Sequence, residues 1–173
     1  MSVRLLPAPR AVAQAVLLGG SCVAALDAAG LAAAPGWPHE QSATALRATA
    51  DYGEMTGTFL VVEDISGHDL VHNLVHEVVH GECGWRAAPD ADGDVEISFG
   101  LAAPSRGAGR GSAAVAALLL WSRQQPGVRT VSAQTQPGNA AAIAVLEGRG
   151  FILAPTGAST DGYLRYVTSL TVP

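Results

Sequence analysis

Hydrophobic and polar positions along the chain follow two periodicities, one typical of strands and one of helices. Runs rich in β-branched and aromatic residues predict strands at 3–6, 59–63, 95–102, 128–135, 151–154 and 163–172, and residues from Val78 onward read as extended. Apolar residues at helical spacing predict helices at 11–18, 39–52 and 112–124, and one from Asn139 onward. Strands outnumber helices, so the pattern predicts a mixed α and β fold.

A glycine-rich turn, Ser105 to Ser112, joins the strand predicted at 95–102 to the helix predicted at 112–124. Glycines at 107, 109 and 111 let a ligand approach the backbone, and the following helix directs amide groups and its positive dipole end toward that ligand. These features predict a cradle for a phosphate or pyrophosphate.

Two common phosphate loops do not fit this turn. A Walker loop needs a lysine, and all ten basic residues of the chain are arginine. A Rossmann loop needs a third glycine where Ser112 stands, and an acidic residue about twenty positions later, where Val131 stands.

The turn matches RxxGxG at Arg106, Gly109 and Gly111, and a second motif runs from Asn139 to Gly150-Phe151. Both resemble the GNAT superfamily of acyl-CoA-dependent N-acyltransferases, closest in pattern to its ribosomal-protein and small-molecule branch. The resemblance implies one domain over residues 1–173, with a central mixed, mostly antiparallel, twisted sheet of about six to seven strands flanked by helices. It implies transfer of acetyl from acetyl-CoA to a primary amine of a small molecule or a protein N-terminus, by direct attack in a ternary complex.

The resemblance also assigns residues to the co-substrate. Backbone groups at the end of the signature strand are expected to pair with the pantetheine arm, at Leu101, Ala102 and Ala103. The turn is expected to hold the pyrophosphate through Arg106, Gly107, Ala108, Gly109, Arg110, Gly111 and Ser112. Asn139 is expected to contact the pantetheine or nearby backbone, and it also suits the cap of the helix that follows.

An ammonium ion cannot attack a thioester, so the reaction needs a base. Glu96 stands where several family members carry a catalytic glutamate; the alternatives are a solvent-facing Glu96 and Glu82 as the base. The family's proton-donating tyrosine is replaced by Leu146, and the serine of a subgroup by Ala142. Tyr163, Tyr166 or water could protonate the leaving thiolate, or it could leave unprotonated.

A histidine row at His72, His76 and His80 competes with this interpretation, because His76-Glu77-Val78-Val79-His80 matches the HExxH zinc pattern. No third histidine follows, and the downstream segment is rich in glycine. Residues four apart also share a face of a strand. We therefore expect a polar row and no metal, with a zinc hydrolase as a remote alternative and a non-catalytic acyl-CoA-binding module as the main one.

Charged residues make up only 14% of the chain and hydrophobic residues 49%, which favours a compact globule. The net charge of −5 disfavours nucleic acid as a partner and favours a cationic amine. Two cysteines fit a reduced compartment, and no run of eighteen apolar residues occurs. We expect a cytoplasmic protein that does not contact membranes and that could pair as a homodimer.

Overall fold

The computed structural model describes residues 3–19, 21–52, 57–63, 77–158 and 161–170. Within them lie eight strands: β1 (Val3–Pro7), β2 (Leu31–Ala33), β3 (Thr58–Glu63), β4 (Glu77–Trp85), β5 (Asp94–Leu101), β6 (Thr130–Thr135), β7 (Ile152–Ala158) and β8 (Leu164–Ser169). The same ranges contain five helices: α1 (Arg10–Leu17), α2 (Val23–Ala28), α3 (Ser42–Tyr52), α4 (Arg110–Ser122) and α5 (Ala140–Gly148).

The strands form one sheet in the order β1-β3-β4-β5-β6-β8-β7, and β2 pairs with β4. Only the β5–β6 and β2–β4 pairs are parallel, so the sheet is mixed and mostly antiparallel, which confirms the predicted fold class. The sequence analysis missed β2 and α2. The three residues of β2 are Leu-Ala-Ala, and alanine has little strand preference, so the pairing with β4 sets their conformation.

Helices cover both faces of the sheet. The helix α4 packs on one face, where Val115, Leu118 and Leu119 point into the core as predicted, beside Val95 and Ile97 of β5. The helices α1 to α3 supply the core of the opposite face, with β3 contributing to both cores through alternate side chains.

The parallel strands β5 and β6 pair over Asp94–Ile97 only, whereas β5 pairs with β4 as far as Leu101. The amide of Ala102 donates to the carbonyl of His80 at 2.9 Å, which sets the hydrogen-bonding alternation along β5. By that alternation the backbone groups of Gly100 face β4, and those of Phe99 and Leu101 face the gap that opens beyond Ile97. The sheet therefore offers free strand edge at the place where the sequence predicts the pantetheine arm.

The described end of the histidine row, from Glu77 to His80, is not part of the helix that a zinc protease needs. Residues from Glu77 to His80 belong to β4, which confirms the extended conformation predicted from Val78 onward. His72 and His76, and the turn predicted at Ser66-Gly67, lie outside the described residues. The zinc hydrolase reading is wrong over the part of the motif that the structure describes, because a strand holds Glu77 and His80 on opposite faces.

Candidate functional site

The first turn of α4 forms the candidate phosphate cradle. Gly109 precedes the helix with φ of +77°, and no side chain caps it. The first helical hydrogen bond runs from the amide of Ala113 to the carbonyl of Gly109 at 3.0 Å, so the helix itself provides no acceptor for the amides of residues 110–112. A Cβ built on Gly107 or Gly109 would meet no atom within 4 Å, so space above the turn is open. Amides at a helix start and open space suit an anion.

The side chain of Arg110 ties the cradle to the sheet. Its Nε and one terminal nitrogen donate to Glu63 Oε2 at 3.0 and 2.7 Å, and its other terminal nitrogen donates to the carbonyl of Ser105 at 3.4 Å. The guanidinium is therefore engaged by a carboxylate of β3, and the predicted phosphate contact of Arg110 rests on its backbone.

His80 contacts both Glu63 and the turn, and together with Glu63 and Arg110 it forms a clamp that holds the turn. Its Nδ1 lies 2.8 Å from Ser105 Oγ, and its Nε2 lies 3.2 Å from Glu63 Oε2. Burial, with Arg110 adding to the effect, lowers the pKa of His80, so the ring is neutral near pH 7. Ser105 is only 4% exposed. This serine, histidine and glutamate therefore hold the turn and offer no accessible nucleophile.

Two further arginines lie beside the cradle. Arg106 donates through Nε to the carbonyl of Leu101 at 3.0 Å, on the strand edge that faces the gap. Arg149, at the end of α5, donates through Nε to Ser112 Oγ at 2.7 Å and is exposed. The sequence analysis missed Arg149, because only the packing of α5 beside α4 brings it to the cradle.

A cleft of about 880 Å³ opens at the gap between β5 and β6. It lies between α3 and the ends of β4, β5 and β6, and the start of α5 closes one side. Its charged lining residues are Glu40, Asp51 and Glu82 against Arg47 and Arg86. The excess of one carboxylate suits a cationic acceptor.

Glu82 is the most deeply buried charged residue of this lining, at 1% exposure. Its Oε2 accepts hydrogen bonds from Trp37 Nε1 at 2.7 Å and Ser42 Oγ at 3.0 Å. Its Oε1 lies 2.9 Å from His39 Nε2. The adjacent carboxylate of Glu82 raises the pKa of His39 above its ordinary value, against the opposing effects of burial and of Arg106.

Helix α3 begins at Ser42, three residues later than predicted, and this places Trp37 and His39 in the loop before it. The amide of His39 donates to Ser42 Oγ at 3.0 Å, so the loop is fixed at the helix start. No local pattern marks these residues as partners of Glu82, since about forty positions separate them. Only the packing of α3 on β4 joins them.

Glu96, the predicted base, lies outside the lining of the cleft. Its Oε1 accepts from Arg86 at 3.2 Å and its Oε2 from Gln134 at 3.3 Å, and the side chain is 30% exposed. It precedes Gly100 by four residues, which is roughly 13 Å along a strand. Its catalytic role stays a prediction.

Residues at the start of α5 contribute to the lining of the cleft. Asn139 caps α5, since its Oδ1 accepts from the amide of Ala142 at 3.1 Å, and both residues line the cleft. Leu146, at the family's tyrosine position, is buried in the core.

The two candidate tyrosines differ in their surroundings. Tyr166 is buried, where desolvation and a 3.0 Å hydrogen bond to Glu147 raise its pKa. Tyr163 lines the cleft, with its hydroxyl 3.5 Å from Gln136 Nε2. Of the two phenols, Tyr163 is therefore the one placed to reach a substrate.

Over the described part of the chain, no three acidic, histidine or cysteine side chains cluster closely enough to hold a metal ion. Within the same ranges, no helix combines the length and apolar character needed to cross a bilayer. Burial raises the pKa of the Cys83 thiol, so this cysteine is not a reactive nucleophile.

Comparisons with known proteins agree with this architecture. The family model of the acetyltransferase (GNAT) domain matches residues 25–152 of this chain. A search of curated proteins found no match.

Solved structures of similar fold include RimL, a ribosomal L7/L12 α-N-protein acetyltransferase (TM-score 0.63, 14% identity, 98% of this chain and 91% of that one). Others are a protein assigned to the GNAT family from Desulfovibrio desulfuricans (0.61, 15%, 98% and 99%) and the microcin C7 self-immunity acetyltransferase MccE, solved with acetyl-CoA and AMP (0.60, 13%, 96% and 92%). At these identities the structures show a shared fold.

The family match spans most of the chain and includes both the candidate cradle and the Asn-led helix. The chain therefore belongs to the GNAT acetyltransferase family, as an N-acetyltransferase whose co-substrate is acetyl-CoA.

Proposed function

We propose that this protein acetylates a primary amine, on a small molecule or a protein N-terminus, by direct attack of the amine on the thioester of bound acetyl-CoA. The observation that carries the proposal is the adjacency of two features. The open first turn of α4 and the gap beyond Ile97 suit the co-substrate, and the cleft against α3 suits an acceptor. Much of the rate would come from holding the two reactants in alignment.

In this proposal the amides of residues 109–112 bind the diphosphate, and Arg106 and Arg149 add charge at the rim. The pantetheine lies along residues 101–103. The amide of Ala102 already donates to His80, and the carbonyl of Leu101 accepts from Arg106. The backbone groups of Phe99 and the amide of Leu101, which face the gap, are therefore the better partners. Asn139 helps to position the arm while it caps α5.

The acceptor is proposed to be cationic, because three carboxylates and two arginines line the cleft. RimL and a ribosomal-protein-S18-alanine N-acetyltransferase from Escherichia coli, similar in fold at TM-scores of 0.63 and 0.50, carry names that specify protein N-termini. A small amine and a peptide N-terminus both remain in the proposal. One domain over 1–173, a cytoplasmic location and a homodimer stay predictions.

A non-catalytic acyl-CoA-binding module is the second candidate. It is favoured by the absence of a hydroxyl at two family positions of α5, where Leu146 is buried and Ala142 lines the cleft. Tyr163 is the proposed substitute, as the donor of a proton to the leaving thiolate.

An amine panel with acetyl-CoA decides between the two candidates. The panel comprises benzylamine, a polyamine and short peptides with free N-termini, read by release of free thiol, and N-acetylated copies of the same peptides serve as blank acceptors. Release of thiol with the free peptides or amines but not with the blocked copies supports transfer. Calorimetric binding of CoA without turnover on any amine supports the binding module.

A further inference from the structure

Glu82 combines deep burial with a place in the acceptor cleft. A buried carboxylate is costly unless donors surround it, and Trp37 and Ser42 both donate to Oε2. That oxygen is therefore occupied. The other oxygen, Oε1, has His39 Nε2 at 2.9 Å as its neighbour.

The contact between His39 and Oε1 leaves this oxygen able to accept a further hydrogen bond or a proton. The amide of Gln41 donates to His39 Nδ1 at 3.3 Å, so the neutral ring carries its proton on Nε2, facing Glu82. Although Nε2 and Oε1 are close, the N–H is not aligned on that oxygen, and Nε2 has no aligned hydrogen bond. Oε1 is thus the carboxylate atom able to accept another proton or donor, and the imidazole holds it electrostatically.

The pair lies at the end of the signature strand. Glu82 is the register partner of Gly100, which immediately precedes the proposed pantetheine segment. A Cβ built on Gly100 would lie 2.7 Å from His39 Cε1 and 3.3 Å from Glu82 Oε1. Glu96, by contrast, lies next to the closed end of the β5–β6 gap.

We propose that Glu82 is the base of the reaction and that His39 is its positioning residue; this rests on the proposed acetyl transfer. The ammonium of the acceptor gives one proton to Glu82 Oε1, and the freed amine attacks the thioester carbon. The C–N bond forms as the C–S bond breaks. The second proton of the nitrogen goes to the leaving thiolate, so free CoA departs as the thiol, and Glu82 returns its proton to solvent.

The charge of the pair is set by several neighbours. Glu82 raises the pKa of His39 and so favours the protonated ring, whereas the charge of Arg106, which follows β5, lowers that pKa. Other charged groups of the cleft come from the loop before α3, from α3 itself and from the residue after β4: Glu40, Arg47, Asp51 and Arg86. The charges of these groups therefore also affect how the rate of the reaction depends on pH.

The test compares three matched Glu→Gln variants. Glu82→Gln removes the proposed base, Glu96→Gln removes the rival, and Glu77→Gln is a control on the same strand as Glu82, paired with Arg4 outside the cleft. With the best amine of the panel at pH 7, Glu82→Gln is expected to lower kcat about 100-fold or more. The KM for acetyl-CoA should stay within about threefold, and Glu77→Gln should keep wild-type kcat.

The pH dependence separates lost proton transfer from lost structure. Below the pKa of the amine, its neutral fraction rises about tenfold per pH unit, so the Glu82→Gln rate should climb with that slope while the wild type reaches a plateau. His39→Gln should lower kcat about tenfold and shift the same profile, with KM unchanged. Retention of wild-type kcat and profile by Glu82→Gln, or a large loss in Glu96→Gln instead, overturns the assignment.

Two measurements cover the remaining outcomes. If Glu82→Gln does not fold, as judged by the thermal upshift with CoA, Gly100→Ala replaces it. The Cβ that Gly100→Ala introduces must displace the His39 ring, so this variant should lower kcat about tenfold, and an unchanged kcat overturns the proposal.

If the wild type releases no thiol with any amine, the proposed function fails. The site is then judged by NMR of His39 at saturating CoA, where added benzylamine should shift its ring signals; unmoved signals overturn the proposal.

Discussion

Substituting alanine for Gly109 isolates the conformational requirement of the cradle. Gly109 has φ of +77° and ψ of −3°, and an added Cβ would meet no atom within 4 Å, so the substitution costs no steric clash with other residues. The left-handed conformation itself costs a non-glycine residue about 1–2 kcal/mol. The perturbation is therefore a known backbone strain placed at the start of α4.

That strain must appear in one of two measurements. If the turn keeps its shape, the free energy of unfolding falls by about 1–2 kcal/mol, equivalent to roughly 2–8 °C in Tm for a protein of this size. If the free turn relaxes to negative φ, the strain is restored on binding, and the Kd for CoA rises about 5- to 30-fold. The stability loss and the affinity loss should together come to about 1–2 kcal/mol.

Urea unfolding and calorimetric titration with CoA measure the two quantities on the same protein. Gly111→Ala is the matched control for stability, because Gly111 does not have a positive φ and its Cβ would make ordinary contacts at 3.6 Å with Leu101 and 3.8 Å with Val145. The control should lose no stability. A Gly109→Ala protein with both quantities within about 0.3 kcal/mol of wild type would refute the strained-turn reasoning.

Three further predictions concern the surroundings of the cradle and cleft. Folding raises the pKa of His39, so its contribution to stability is present below about pH 6.5 and is lost as pH rises through the higher folded value. Between pH 6 and pH 8.5, the free energy of unfolding in urea should therefore fall more for wild type than for His39→Gln. An equal fall in the two proteins would contradict this prediction. Asn139→Ala should cost about 1 kcal/mol of unfolding free energy and Asn139→Ser much less, because the cap accepts from Ala142; equal costs in urea unfolding would exclude the cap. Arg149→Gln should raise the Kd for CoA a few-fold at low salt and little at 0.5 M salt, because an exposed charge is screened; a calorimetric Kd that does not depend on this residue at low salt would remove Arg149 from the site.

The local pattern predicted most of the fold, because the determinants of these elements are close in sequence. The turn at 105–112, the helix with its inward Leu118, and the cap at Asn139 each depend on residues within a few positions. The arrangement of the strands in one mixed, mostly antiparallel sheet was predicted from the family resemblance. Boundaries shifted where packing decides, as at α3, whose first residue is Ser42 rather than His39.

The cleft was less predictable, because its key contacts join distant segments. Glu82 was only the alternative base, and nothing near it in sequence announces Trp37 or His39. The clamp of His80, Glu63 and Arg110 was also hidden, since the spacing of the histidines suggested a metal pattern instead. Such contacts depend on tertiary packing, which a single sequence does not display.

The binding of the diphosphate by the first turn of α4 can be observed directly in amide NMR spectra. Titration with CoA should move the backbone amide signals of Gly109, Gly111 and Ser112, and the same titration with pantetheine, which lacks the diphosphate, should leave them in place. Signals that do not respond to saturating CoA, or that respond equally to pantetheine, would contradict this assignment of the cradle.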